Sequence, residues 1–341
     1  MSSTVSPKPA AREPRAPAQP GGVARLLRRL GRGAPIFLVL IVLLVWIGLL
    51  NPNFFQPGVL LAFLRRAAPI MILAAGQLFV IVSGGFDLSV GSLITVIVVV
   101  AAAVIEGDPA KTWPVMALLF AIGGLVGLVN GLITTRLKVP SFITTLGMLL
   151  ILRGAVFYWT GGAPTGALTE EFRLFGRAGI EGVPGIGEIP YAVIVLLVVG
   201  TAFTWLLHRS TFGQQLFAAG GGPRAAELSG VDVPRVRTLA FLLSALSAVI
   251  AGILVGGLAG VSAQVGQGYE FTAISAVVLG GAVLGGGKGQ MVPVIFAALT
   301  LEALFTLLNL LGLPQPMREA VQGLIIIGAV VYSSYRARRQ V

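Results

Sequence analysis

An all-α protein that crosses a membrane many times is the fold class this sequence predicts, and three observations predict it. Hydrophobic residues make up 56% of the 341 positions and charged residues only 11%, against roughly 25% charged in soluble domains. Mean hydropathy is +0.93. The apolar residues fall in runs of about 20, the length that spans a hydrocarbon core as a helix. This composition argues against a soluble enzyme. There is no cysteine, so disulfides and thiolate metal sites are out, and a single histidine, His208, makes neither a histidine-built metal centre nor a serine–histidine triad. No metal and no cofactor are expected. The net charge of +11 does not point to nucleic acid, because the basic residues stand at the ends of apolar runs, where they control topology.

Residues 1–33 are rich in Pro, Ala, Ser and Arg and carry no apolar stripe, which predicts a disordered basic cytoplasmic tail. No small-residue cleavage pattern follows the first apolar run, so it is not read as a cleaved signal. Arg25, Arg28, Arg29 and Arg32 hold this end in the cytoplasm. The transmembrane domain is read at 34–335 and a second basic tail at 336–341.

About ten spans are read within that domain. They cover 36–50, 67–82, 88–105, 113–135, 142–160, 191–207, 238–258, 271–284, 291–311 and 320–332, with 54–66 as an amphipathic interfacial piece before the second. An even number puts both termini on one side. The charges agree: Arg136, Lys138, Arg209, Arg224, Arg235, Arg237 and Lys288 then fall in cytoplasmic loops, and Glu106, Asp108, Glu170, Glu171, Glu181, Glu188, Glu270 and Glu319 in outer ones. Arg65 and Arg66 are exceptions that must snorkel or pair. Trp46, Trp113, Trp159 and Trp205 lie near span ends, as an aromatic belt requires. The outer loop 161–190 is rich in Gly, Pro and charge and can fold back as a small lid. Two small-residue faces, Gly123-Gly124-x-x-Gly127-x-x-x-Gly131 and Ser244-x-x-Ser247-x-x-x-Ala251, suit close helix packing in lipid.

The polar break at 208–237 contains a short helix marked at both ends. Gly222 stands at the N-cap, Pro223 at the first helical position, and Gly230 where a positive φ ends the helix. Arg224, Ala225, Ala226, Glu227, Leu228 and Ser229 lie between, too short a helix to stand alone in water. It must dock on something, and between two spans that is a soluble partner on one side of the membrane. Gly220 and Gly221 lead into it.

This break resembles the coupling loop of ATP-binding cassette (ABC) importer permeases, in particular the ribose/xylose type within the branched-chain amino acid and sugar permease superfamily. Three more stretches carry the resemblance. They are Ser83-Gly84-Gly85-Phe86-Asp87-Leu88-Ser89-Val90-Gly91-Ser92, with Phe86 where an aliphatic residue is usual, Pro140 to Met148 followed by Arg153-Gly154, and Gly268-Tyr269-Glu270-Phe271 through Gly289. The resemblance covers about 50–335. It implies a type II importer-like permease of the bacterial inner membrane that imports a monosaccharide by alternating access. It also implies a second permease copy, a cytoplasmic ATPase from another chain and a periplasmic sugar-binding protein. No G-x-x-x-x-G-K-[ST] loop is present, since 285–289 lacks the spacing and the hydroxyl, so the chain is not expected to hydrolyse ATP. The alternatives are an ABC permease for branched-chain amino acids or nucleosides, and an ion-coupled secondary transporter, which would need no docking helix.

Candidate pathway or gate residues follow from polarity within apolar surroundings. Asp87 is the one formal charge between 67 and 105; at a helix centre it would cost about 2.5–3.5 kcal/mol. It reads either as a cap accepting from the N–H of Ser89 or Val90 or as a gate, with Ser83 and Ser89 beside it. Glu302, Thr306 and Asn309 share one helix face, and both pathway lining and interhelical hydrogen bonding are open for them. A neutral sugar needs weak, passable contacts, for which Gln77, Thr95, Asn130, Thr144 and Thr145 are suitable. Arg153 has no partner assignable from sequence.

Overall fold

A computed structural model describes residues 34–338; the tail read at 1–33, and 339–341 of the second one, lie outside the described residues. The helices run α1 (Ala34–Leu50), α2 (Pro57–Val82), α3 (Val90–Ile105), α4 (Pro109–Arg136), α5 (Ser141–Thr160) and α6 (Glu170–Arg177). A hairpin of β1 (Gly179–Val183) and β2 (Gly187–Pro190) follows, then α7 (Tyr191–His208), α8 (Thr211–Gly221), α9 (Pro223–Leu228), α10 (Val233–Ala259), α11 (Tyr269–Leu279), α12 (Met291–Leu310) and α13 (Gln315–Arg338). Among the described residues, six helices (α2, α4, α5, α7, α10 and α12) are long and apolar enough to cross a membrane.

α10 is the central post. It packs against α2, α3, α4 and α6. Its contacts to α2 and α4 use the two small-residue faces. On one side the stripe Gly123, Gly127 and Gly131 of α4 lies on Val249, Ala245 and Thr238; a Cβ on Gly131 would come within 2.8 Å of the Thr238 backbone. On the other side Ser244 and Ser247 press on α2, where a Cβ on Gly76 would lie 1.9 Å from Ser247 Oγ. Without those methyls the backbones approach closely and gain dispersion contact along their length.

Four expectations need correction. The stretch 54–66 is not a separate interfacial piece. Asn51 caps a single 3₁₀ turn at Pro52–Phe55, and α2 starts at Pro57 and passes through Pro69 without a break. Arg65 is tolerated there because its Nη1 donates to the carbonyl of Arg177 at 2.7 Å. The eighth segment stops at Leu279, five residues early, since Gly280 and Gly281 end it. The break at 208–237 holds two helices rather than one, with Ser210 capping α8 through the N–H of Gly213 at 3.1 Å. The chain is not wholly α: the loop 161–190, expected on the outer side, contains the hairpin. That loop folds back onto the body through α6, whose Gly176 would place a Cβ 2.5 Å from the carbonyl of Leu254, and through the Thr112–Thr169 hydroxyl contact of 2.7 Å.

The α2–α10 contact is testable. Gly76→Val should lower the melting temperature of the purified protein in detergent and its yield, because the side chain meets Ser247 and backbone. Gly147→Ala, at a position with nothing within 4 Å, should leave both unchanged. Equal melting of the two variants would contradict the packing.

Candidate functional site

The first part of the site is the turn between α2 and α3. α2 ends at Ser83, whose hydroxyl donates to the carbonyl of Val80 at 2.7 Å. The chain does not leave the body there. It climbs back, so that Asp87 reaches the depth of Gln77, about 7–8 Å up α2 from Val82 at 1.5 Å per residue. Asp87 is fully buried. Its Oδ1 accepts from the N–H of Ser89 at 3.0 Å and from the Ser89 hydroxyl at 2.6 Å, and Oδ2 accepts from Ser244 at 3.0 Å. Asn130 Nδ2 donates to Ser89 Oγ at 2.9 Å, and Ser244 lies 3.4 Å from Gln77 Oε1. Four helices, α2, α3, α4 and α10, thus meet in one hydrogen-bond network around this buried carboxylate.

The next residue back, Phe86, is clamped by α5. Its N–H donates to Ser141 Oγ at 3.0 Å, and its carbonyl accepts from Thr145 Oγ1 at 3.2 Å. Thr144 is buried beside Thr145. Gln77, Asp87, Ser89 and Asn130 are therefore brought together, Thr145 is joined to them through the turn, and Ser83 stands at its edge. Glu302, Thr306 and Asn309 are not. Glu302 on α12 lies within electrostatic reach of Arg66 and Tyr269, and Asn309 accepts from Arg318 Nη1 at 3.4 Å. By sequence Ser244 reads only as a small packing residue; it lies about three turns into α10, and nothing local marks it as a partner of Asp87.

The second part is α8–α9. Gly222 precedes Pro223, and the helix closes with Gly230 N donating to Glu227 O and Val231 N to Ala226 O, both at 3.0 Å; Gly230 has φ 85°, the left-handed region that suits glycine. Ala226 is buried against the body, whereas Arg224, Ala225, Glu227 and Ser229 are exposed, and Leu228 is 82% exposed. Arg224 and Glu227, three residues apart, form no ion pair among the described residues. Glu227 instead borders a cavity of about 580 Å³ shared with Arg237, Lys138, Ser83 and Phe86.

Three glycine-rich breaks join these two parts. A Cβ on Gly220 would sit 1.8 Å from the carbonyl of Val82, and Gly221 lies on Gly287. Gly287 N donates to Val82 O at 2.8 Å. Arg237 Nη2 donates to Ala219 O at 3.3 Å. The segment 285–289, which lacks the phosphate-loop pattern, thus wedges α8 against the end of α2. The single histidine is also structural here: His208 Nε2 accepts from Met291 N at 3.1 Å, with its ring stacked on Phe217.

Glu270 was expected in an outer loop. It is 6% exposed, because 260–268 turns inward after α10 and Gly266 N donates to Thr95 Oγ1 at 3.1 Å. The run Gly260, Gly266 and Gly268 was the sequence signal for that turn.

The Asp87 network separates a cap from a charge requirement. Asp87→Asn can present its oxygen to Ser89 N and its amide to Ser244 Oγ, so its melting temperature should stay near that of the parent. Asp87→Ala strands several buried donors, at about 1–3 kcal/mol each, and should melt well below it. Equal losses in both variants would assign the role to the charge.

The family description "Branched-chain amino acid transport system / permease component" matches residues 59–330. The chain is 37% identical over 296 residues to the ribose import permease protein RbsC of Escherichia coli strain K12, covering 86% of this chain and 91% of that protein. It is 34% identical to the autoinducer 2 import system permease protein LsrC of Klebsiella pneumoniae, covering 86% and 84%. It is 35% identical to the L-arabinose transport system permease protein AraH of Escherichia coli strain K12, covering 78% and 80%. No solved structure matches. With apolar helices of spanning length and matches over most of its length, the chain belongs to the permease-component family of branched-chain amino acid and related transport systems.

Proposed function

We propose that this chain is the permease subunit of an ABC importer that carries a monosaccharide, a pentose or a hexose, across the bacterial inner membrane. The observation that carries the reading is α9: a six-residue helix that rests on the body through Ala226 and presents an 82% exposed leucine, in the break between the apolar helices α7 and α10. A soluble domain that takes such a helix in a cleft can move it as a rigid body. The relatives supply the substrate class, since the ribose and L-arabinose permeases are both sugar permeases by name.

In this reading the transmembrane domain is 34–335, with about ten spans and both termini in the cytoplasm. The loop 208–237 faces the cytoplasm and 161–190 the outside. A partner ATPase supplies the energy, a second permease copy completes the pore, and a periplasmic binding protein delivers the sugar and does most of the selecting. Gly220, Gly221 and Pro223 to Gly230 transmit the stroke.

The mechanism follows from the contacts. Force on α9 passes into α8, and Gly220 and Gly221 are in backbone contact with Val82 and Gly287. The turn carrying Asp87 starts one residue beyond Val82, so α8 cannot shift without displacing it. The larger cavity lies on the α9 side of that turn; on the other side, a cavity of about 40 Å³ lies at Ser92 and Thr95. The buried segment between them is the barrier, and Gln77, Asp87, Ser89 and Asn130 hold it shut while the larger cavity is open. Such an arrangement is inward-facing, and alternating access exchanges which cavity is open. A gradient-driven transporter has no use for this helix, which disfavours that alternative.

Two measurements test the reading. In proteoliposomes with the ATPase and binding protein, Arg224→Glu with Leu228→Asp should cut ribose uptake about tenfold or more, the size expected from losing a central apolar anchor of an interface; unchanged uptake would remove α9 from the coupling path. Because the chain has no cysteine, Leu228→Cys and Glu181→Cys give single labels. An impermeant maleimide should reach the first only from the cytoplasm and the second only from outside, and the reverse result would invert the topology.

A further inference from the structure

The smaller cavity has charge that the proposed mechanism does not use. It is lined by Ser92, Thr95, Arg153, Gln264, Gln267 and Glu270 among others. Arg153 comes from α5 and Glu270 from the first turn of α11, so opposite charges on two helices border one space. They form no ion pair among the described residues. Arg153 rests instead over the ring of Phe157, 5.9 Å from its centroid. Glu270 interacts with the backbone N–H groups of residues 268 and 270, yet its Oε2 is buried and has no hydrogen-bond partner. That oxygen stands directly over Gly91, where an added Cβ would fall 1.9 Å from it. The side chain is 6% exposed, and a buried carboxylate oxygen without a donor has the capacity to take one from a ligand.

We propose that Glu270 and Arg153 form a hydroxyl-binding constriction for a neutral polyol on the translocation path; the proposal rests on the monosaccharide reading above. One sugar hydroxyl donates to Glu270 Oε2, and the oxygen of a neighbouring hydroxyl accepts from the Arg153 guanidinium. A vicinal diol satisfies both charges at once, and the amide side chains of Gln264 and Gln267 add neutral donors and acceptors at the rim. An apolar side chain offers neither group and would leave both charges stripped of water, so the same pair selects against it. At about 40 Å³ the space holds about two or three waters and no sugar ring. Passage therefore requires α5 to separate from α11 and from 260–268. Gly91 is what allows the carboxylate to sit so close to α3.

The test uses proteoliposomes containing the permease, its ATPase and its binding protein, with D-ribose and 2-deoxy-D-ribose as probes. Glu270→Gln keeps the shape and removes the charge. Its ribose uptake should fall about tenfold, the loss expected for one charge-assisted hydrogen bond, while its melting temperature stays at the parental value. The ratio of ribose to 2-deoxyribose uptake should fall as well, because the analogue lacks one hydroxyl of the diol. Gly91→Ala, which displaces the carboxylate, should reproduce the loss of preference. Parental uptake in Glu270→Gln, or equal loss for both sugars, would overturn the proposal. So would full recovery in the charge-swapped Arg153→Glu/Glu270→Arg variant, since that would mark a simple ionic latch. If the parent protein imports no neutral sugar under these conditions, the functional reading itself fails and this inference with it.

Discussion

The close approach of α10 to α2 and α4 is the constraint on which the other features depend. In lipid there is no gain from hiding apolar side chains from water, so helices are held by van der Waals contact and by the few polar groups they share. α10 meets both neighbours through residues no larger than valine at the tightest points: Gly76 against Ser247, Gly127 against Ala245, Gly131 against Thr238. That proximity is what lets Ser244 reach Asp87 on one side and Gln77 on the other. A larger residue at any of these places would part the helices and take the Ser244 donor away from the carboxylate.

A buried carboxylate then becomes structural. Asp87 lies where α2 has ended and α3 has not begun, and the broken backbone offers the N–H of Ser89 to its oxygen. Irregular backbone at depth is tolerated because protein surrounds it. The same rule covers 260–268, the second inward turn, whose Gly266 meets Gly91 and Thr95. Two broken segments thus face one another across α3, and each carries a carboxylate. Both oxygens of Asp87 accept hydrogen bonds, whereas Oε2 of Glu270 has no partner. The first suits a fixed joint. The second suits a transient contact.

Much of this was legible in the chain itself. Composition and run length marked the class, glycine and proline marked α9 at both ends, and the spacing of small residues marked the α4 and α10 faces. What stayed illegible has one source: contacts between residues far apart in sequence. Glu270 reads as a loop acid because the glycines at 260, 266 and 268 mark a turn but not its direction into the body. Arg65 reads as an anomaly until the carbonyl of Arg177 is placed beside it. Arg224 and Glu227 have the spacing of a helical pair, yet Glu227 borders the cavity it shares with Arg237. Glu302, Thr306 and Asn309 share a helix face, but that face belongs to a different neighbourhood from Asp87.

The sequence by itself determined the membrane class, the positions of most helices, the short helix α9 and the family, because these follow from local runs, caps and motifs. Only the tertiary structure decided which polar residues meet. Hydrogen bonds such as Asp87–Ser244 and contacts such as Gly220–Val82 join positions more than a hundred residues apart, and their existence depends on how closely the helices between them are able to pack.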